Sequence, residues 1–255
     1  MPTFTAADGT EIAYRVWEQD SELPLVLLHH GFIADGESNW VLPGIVPALT
    51  AAGRRVVTID ARGHGGSGKP HDPARYGEDR MAEDVTRLVD LLGAPVYDLA
   101  GYSMGAIVAL LTAVRDERVR RLAVGGVGAA VVELGGVDTR VIGGPVLQHA
   151  LHTDDPASIT DPAGSGFRAF VDAVGGDRIA LAAQAAAAHD RPIALDAVEA
   201  PTLVLAGRDD ALAVRPQVLA DAIPGATLRL VPGDHMQAVL DPAFREELVG
   251  FLNAP

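Results

Sequence analysis

The chain offers one serine whose surroundings equip it for attack, in Gly101-Tyr102-Ser103-Met104-Gly105. Pro95 to Ala100 before it reads as a short buried strand, and Ala106 to Val114 after it as a helix. A tight strand-to-helix turn pushes the serine Oγ out above the sheet and folds the helix back on the strand, which leaves the flanking positions no room for side chains. The turn also aims the free N–H groups of the first helical turn at the space beside Ser103, where they suit an anion. The competing reading is a glycine-lined turn whose serine merely caps the helix.

A serine hydroxyl is a weak nucleophile at neutral pH, so it needs a base within reach and a third group to orient that base. Of eight histidines, only His235 stands in a loop directly after a late strand, in Pro232-Gly233-Asp234-His235. His29 ends a strand, His64 and His71 lie in a Gly/Pro-rich loop, and His149, His152 and His189 fall on predicted helices. Gly207-Arg208-Asp209-Asp210 follows the preceding strand, and either aspartate has the placement to orient the base; Gly125-Gly126-Val127-Gly128, one strand earlier, has no acid. For a developing oxyanion the donors are the Met104 N–H and, from the loop after an early strand, the Phe32 N–H in His30-Gly31-Phe32.

These residues need a scaffold, and the sequence alternates strands with helices. Pro2 to Thr5 and Glu11 to Glu18 bracket an Asp8-Gly9 hairpin turn. Leu23 to His29 and Arg54 to Asp60 read as buried strands, separated by a loop from His30 to Asn39 and a helix from Val41 to Ala52. A Gly/Pro-rich loop leads to a helix over Arg80 to Leu92, and after the serine turn a strand covers Val119 to Val124. Pro201 to Ala206 and Ala226 to Val231 are strands around a helix at Val214 to Ala222, and Pro242 to Leu252 is a terminal helix. Such alternation calls for a mostly parallel sheet covered on both faces. Residues 125–199 break the rhythm with helical patches at Thr139 to His152, Phe167 to Val174 and Arg178 to His189, and with turns at Asp154-Asp155-Pro156 and Asp161 to Gly164. The expected division is a core of residues 1–124 and 200–255 with a helical insertion, 125–199, over the end of the sheet.

The length of 255 residues and an apolar fraction of 48% suit one well-packed α/β domain. A net charge of −14 with no basic run argues against a nucleic-acid partner. The absence of cysteine excludes disulfides and thiolate catalysis. No basic leader or long apolar stretch is present, so the expectation is a cytoplasmic protein with no membrane partner and a small-molecule substrate.

His30-Gly31-Phe32, Asp60-Ala61-Arg62-Gly63-His64-Gly65-Gly66-Ser67, the Gly101 to Gly105 pentapeptide, Gly207-x-x-Asp210 and Gly233-Asp234-His235 together resemble the α/β-hydrolase superfamily, over essentially the whole length. The resemblance implies an eight-stranded sheet with a helical cap, Ser103 as nucleophile, His235 as base and Asp210 as the acid, with Asp209 the lesser candidate. Departures are the doubled His29-His30 and a long acidic loop from Phe32 to Trp40. His30, Trp40 and Tyr102 are candidates for the substrate pocket, Trp40 with packing anchor as its competing role.

Gly63-His64-Gly65-Gly66-Ser67-Gly68 matches a dinucleotide fingerprint, but Pro70 and Pro73 follow where that motif needs an immediate helix. Asp60 and Arg62 read as loop-holding residues, Asp98 as a bonded core carboxylate, and His149 with His152 as too sparse for a metal site. The expectation is therefore a cofactor-free, metal-free hydrolase cleaving a small carboxylic ester through an acyl-enzyme. The alternatives are lactone, thioester, amide or carbon–carbon hydrolysis by the same residues, or a slow-turnover ligand-binding protein on this scaffold. An aspartate nucleophile, as alkyl chemistry needs, is absent from the turn.

Overall fold

The computed structural model describes residues 1–254. Strands β1 (Thr3–Thr5) and β2 (Glu11–Trp17) form the hairpin, and β3 (Leu25–His29) follows. Then come α1 (Ile45–Ala51), β4 (Val56–Ile59), α2 (Glu78–Leu91), β5 (Tyr97–Tyr102), α3 (Met104–Ala113) and β6 (Val119–Gly125). Four helices lie before the next strand: α4 (Ala130–Leu134), α5 (Gly144–His152), α6 (Pro162–Val174) and α7 (Arg178–Ala186). The chain closes with β7 (Thr202–Gly207), α8 (Pro216–Ala222), β8 (Thr227–Val231) and α9 (Pro242–Leu252).

The eight strands form one sheet in the order β1-β2-β4-β3-β5-β6-β7-β8, parallel from β4 to β8 and antiparallel where β2 meets β1 and β4. Every residue of β3, β4, β5 and β7 is buried, as strands covered on both faces must be. Val85, Leu88 and Val89 of α2, Ile107 and Leu110 of α3, and Leu219 of α8 fill one face. Ile45 and Leu49 of α1 with Phe244, Leu248 and Leu252 of α9 fill the other. No helix among the described residues is long and apolar enough to cross a membrane.

Asp98, in the middle of the sheet, is fully buried and accepts from both Arg54 and Arg120, whose guanidinium groups also donate to the Leu252 carbonyl. A charge taken out of water this way must be fully paired, and the pairing here fastens the end of α9 to the sheet.

Several boundaries differ from the sequence expectation. The helix expected from Val41 begins at Ile45, because Pro43 lacks an N–H and Gly44 turns left-handed at φ 82°. Across the end of the expected loop and into the first residue of the expected helix, Glu37–Val41 winds into one π-helical turn. The helix expected from Thr139 starts only at Gly144, with Gly143 as its cap, two adjacent glycines of low helix propensity at the start, and Pro145 in its first turn. Asp161 to Gly164 is a helix start: the Asp161 carboxylate accepts from the Gly164 N–H at 2.9 Å, and Pro162 opens α6. Asp and Pro serve turns and helix starts equally well, so local composition cannot tell them apart.

Candidate functional site

Ser103 sits between β5 and α3 with φ 54° and ψ −116°, a strained backbone for any residue with a Cβ. Its side chain makes no capping bond to the helix, which removes the capping reading. A Cβ on Gly101 would lie 2.0 Å from the Gly105 carbonyl oxygen, and one on Gly105 would lie 2.2 Å from that of His29. Strand and helix therefore cross at backbone contact on either side of the serine.

The His235 Nε2 lies 3.0 Å from Ser103 Oγ, and its Nδ1 lies 2.9 Å from Asp210 Oδ2. With Nδ1–H donating to the carboxylate, Nε2 keeps the lone pair that accepts the serine proton. The Asp210 side chain is fully buried, and its other oxygen accepts from the Leu212 and Ala213 N–H groups at 2.8 and 3.2 Å. Asp209, one residue earlier, is exposed and has no side-chain partner among the described residues. The geometry thus joins Asp210, and not Asp209, to His235.

The histidine loop is fixed from beneath. Tyr102 donates its hydroxyl to the His235 carbonyl at 2.7 Å, and the two rings lie 5.2 Å apart. Burial pushes the Tyr102 phenol far above its ordinary range, so it remains a donor at every working pH. Asp234 accepts from Met236 and Gln237 to turn the loop, and Gly207 meets Gly233 so closely that a Cβ would lie 2.3 Å from its carbonyl oxygen.

On the other side of Ser103 runs the loop from His30. Ala61 N–H donates to His30 Nε2 at 2.8 Å, which leaves the proton on Nδ1, and Nδ1 donates to the Gly31 carbonyl at 2.7 Å. Because a trans peptide points its C=O and N–H in opposite directions, holding the Gly31 carbonyl fixes the direction of the Phe32 N–H. That N–H has no partner among the described residues. The Met104 N–H opens α3 and lies outside the helical ladder. Ile33, next in the loop, is held at φ 71°, a conformation that β-branched residues rarely adopt.

The three pocket candidates sit elsewhere than expected. His30 is fully buried and occupied by its two bonds, Trp40 is 1% exposed within the core under α1 and α9, and Tyr102 is enclosed beneath His235. Each is a packing or positioning residue, because the side chain points into the protein. The segment between β6 and β7 packs on the loop that follows β3. Phe167 of α6 stacks on Phe32 at 5.7 Å between ring centres, and Ile33 packs with Leu151, Val171 and Leu181 of α5, α6 and α7. Ser103 itself is only 8% exposed. Two surface clefts, of about 320 and 360 Å³, are lined by other residues and do not include it.

Asp60 and Arg62 are structural, as expected. Asp60 accepts from the Gly36 and Gly66 N–H groups, tying two loops to the end of β4, and Arg62 pairs with Asp84 and Asp8. His29 and His64 lie in a buried row with His30, and burial pushes both down to about 3, so they stay neutral. His149 and His152 are exposed on α5, and no group of residues that could hold a metal ion occurs among the described residues. Sequence reading misses Asn39, whose contact with Gly31 spans the loop, and Ile33 and Phe167, whose contacts lie with residues distant in the chain. Only the β-branched Ile33 after a glycine turn offers a local signal.

A family model described as alpha/beta hydrolase fold matches residues 24–128. The "Putative carbamate hydrolase RutD" of Variovorax paradoxus is 31% identical over 265 residues, covering 90% of this chain and 96% of its own. Among solved structures, a hydrolase from Pseudomonas aeruginosa is similar at a TM-score of 0.75 with 29% identity, covering 99% of this chain and 98% of its own. The enol-lactonase from Burkholderia xenovorans is similar at a TM-score of 0.80 with 25% identity, covering 99% and 100%.

Proposed function

The chain belongs to the α/β-hydrolase family, and from that premise we propose that it is a serine hydrolase that cleaves small carboxylic esters through an acyl-enzyme. The observation that carries the reading is the unbroken chain from Ser103 Oγ through both ring nitrogens of His235 to the buried Asp210. In this reading Ser103 attacks the ester carbonyl while His235 takes its proton. The Phe32 and Met104 N–H groups receive the oxyanion, Asp210 stabilises the imidazolium, and His235 returns the proton to the leaving alcohol. Water, deprotonated by the same histidine, then attacks the acyl-enzyme and releases the acid and the serine. No step calls on a metal or an organic cofactor.

The helices between β6 and β7 form the cap of this site, with residues 1–124 and 200–255 as the core, and the cap's apolar side chains favour an uncharged substrate. A lactone is the second reading, favoured by the likeness to the enol-lactonase, since ring opening uses the same tetrahedral intermediate. The test is turnover of a panel of short and medium acyl chromogenic esters and lactones by wild type and by Ser103→Ala. Turnover that vanishes in the variant, with an unchanged melting temperature, is the expected outcome. Turnover that survives it, or a wild type that neither turns over nor reacts with a phosphonate at Ser103, defeats the reading and favours a ligand-binding protein.

A further inference from the structure

Asn39 stands eight residues beyond Gly31, inside the π-helical turn Glu37–Val41, and its Oδ1 accepts the Gly31 N–H at 2.9 Å. Its side chain is buried, and its Nδ2 has no partner. A buried amide with an orphaned donor opposes folding, whereas an apolar residue of similar shape would not, so the use of this side chain lies in its acceptor. The Gly31 position touches the nucleophile: a Cβ there would lie 3.3 Å from the Ser103 Cβ and 3.6 Å from Asn39 Oδ1.

Two successive peptides of the loop are pinned by side chains. His30 holds the carbonyl of the Gly31–Phe32 peptide, and Asn39 holds the N–H of the His30–Gly31 peptide before it. With both planes fixed, the φ and ψ of Gly31 are fixed, and a glycine is the residue that would otherwise move most freely. Asn39 is itself immobilised, since its own N–H donates to the Asp35 carbonyl at 3.0 Å and its neighbour Trp40 is sunk in the core. The π-turn is what brings the side chain to this place, and such turns recur at functional sites.

We propose that Asn39 is a positioning residue for the oxyanion donor: it locks Gly31 so that the Phe32 N–H is aimed beside Ser103 before substrate arrives. This rests on the serine hydrolase reading above. Preorganised donors act on the charge that develops in the transition state, so loss of Asn39 lowers kcat and leaves ground-state binding alone.

The experiment compares wild type, Asn39→Ala, Ser38→Ala and Ser103→Ala on one chromogenic ester, with the affinity for an alkyl boronate as a tetrahedral mimic. Ser38→Ala removes the bonds that the Ser38 hydroxyl makes with Asp35, keeps the one donated by the Ser38 N–H, and does not touch Gly31, and so reports on loop stability alone. The expected result is a fall in kcat of at least tenfold for Asn39→Ala, KM within twofold, and boronate affinity reduced by the same factor as kcat, with Ser38→Ala unchanged. A smaller loss, a loss matched by Ser38→Ala, or a loss carried by KM alone overturns the proposal and leaves the serine mechanism standing. If Asn39→Ala does not fold, amide exchange in the unmodified protein decides: a Gly31 N–H protected from exchange supports the lock, and one that exchanges like an open loop overturns it. A wild type without ester turnover or phosphonate labelling of Ser103 fails the parent reading instead, and exchange at Gly31 still reports on the lock.

Discussion

Glu78, in the first turn of α2, is buried where α2 meets the end of α7 and the stretch after it. Its Oε2 accepts from the His189 N–H at 2.7 Å and its Oε1 from the Gln184 Nε2 at 3.3 Å. Burial raises its carboxyl from 4.5 to about 7, against the opposing effect of the His189 N–H; the adjacent Asp79 adds to the rise. The native state thus binds this proton more tightly than the unfolded chain does. Stability from this group is complete below the unfolded value and is lost as pH rises through about 7. Each tenfold gain in proton affinity on folding is worth about 1.4 kcal/mol, so the loss over about pH 5 to 8 is about 2–3 kcal/mol after the incomplete protonation at the two ends is allowed for. Glu78→Gln keeps the shape of the side chain and cannot titrate. Urea unfolding of both proteins at both pH values, followed by tryptophan fluorescence, isolates the contribution of Glu78 as a difference of differences, which cancels the other acids and histidines. Wild type is expected to lose about 2–3 kcal/mol more than the variant across this range. An equal loss in the two proteins refutes the reasoning, and would mean that Glu78 is already ionised, or already solvated, at the lower pH.

Asp210→Asn reverses the hydrogen bond that sets the His235 tautomer, so kcat is expected to fall by about 10⁴-fold, whereas the exposed Asp209→Asn changes it less than about twofold. The reverse order in steady-state assays would assign the acid to Asp209. Gly105→Ala sets a Cβ 2.2 Å from the His29 carbonyl oxygen and 2.6 Å from that of His30, both backbone, and is expected to prevent folding or to cost more than about 3 kcal/mol in urea. Gly166→Ala, on α6 with nothing within 4 Å of the new Cβ, is expected to stabilise by about 0.5–1 kcal/mol through helix propensity; destabilisation there would show that the face is occupied.

The parts of this molecule governed by local rules are legible in the chain. Buried strands such as Leu25–His29 are continuous apolar runs, and the glycines at 101 and 105 declare a crossing that admits no Cβ. The order Ser103, Asp210, His235 after β5, β7 and β8 of one parallel sheet brings three distant residues to the same sheet end from topology alone. What stays hidden depends on pairs without local periodicity. The Gly31–Asn39 bond spans a loop whose π-turn has no compositional mark, and Arg54 reaches Leu252 across 198 residues. Trp40 suits the pocket by sequence because a large aromatic near a site fits either role, and only packing against α1 and α9 decides. The helix starts at Ile45 and Gly144 escape sequence reading because apolar spacing continues across a Pro-Gly or Gly-Gly break that the backbone does not cross.

The stacked pair Phe32–Phe167 bears on how such an enzyme can be re-engineered. Exchanging the segment between β6 and β7 is the natural route to a new substrate range if, as proposed above, that segment caps Ser103. Yet the same exchange removes the ring on which Phe32 rests, and Phe32 is the residue whose N–H is proposed as the oxyanion donor. Chimaeras made at these borders will therefore change rate and selectivity together. A library that keeps an aromatic ring at position 167 and varies the faces of α5 and α7 that do not meet the oxyanion loop separates the two properties.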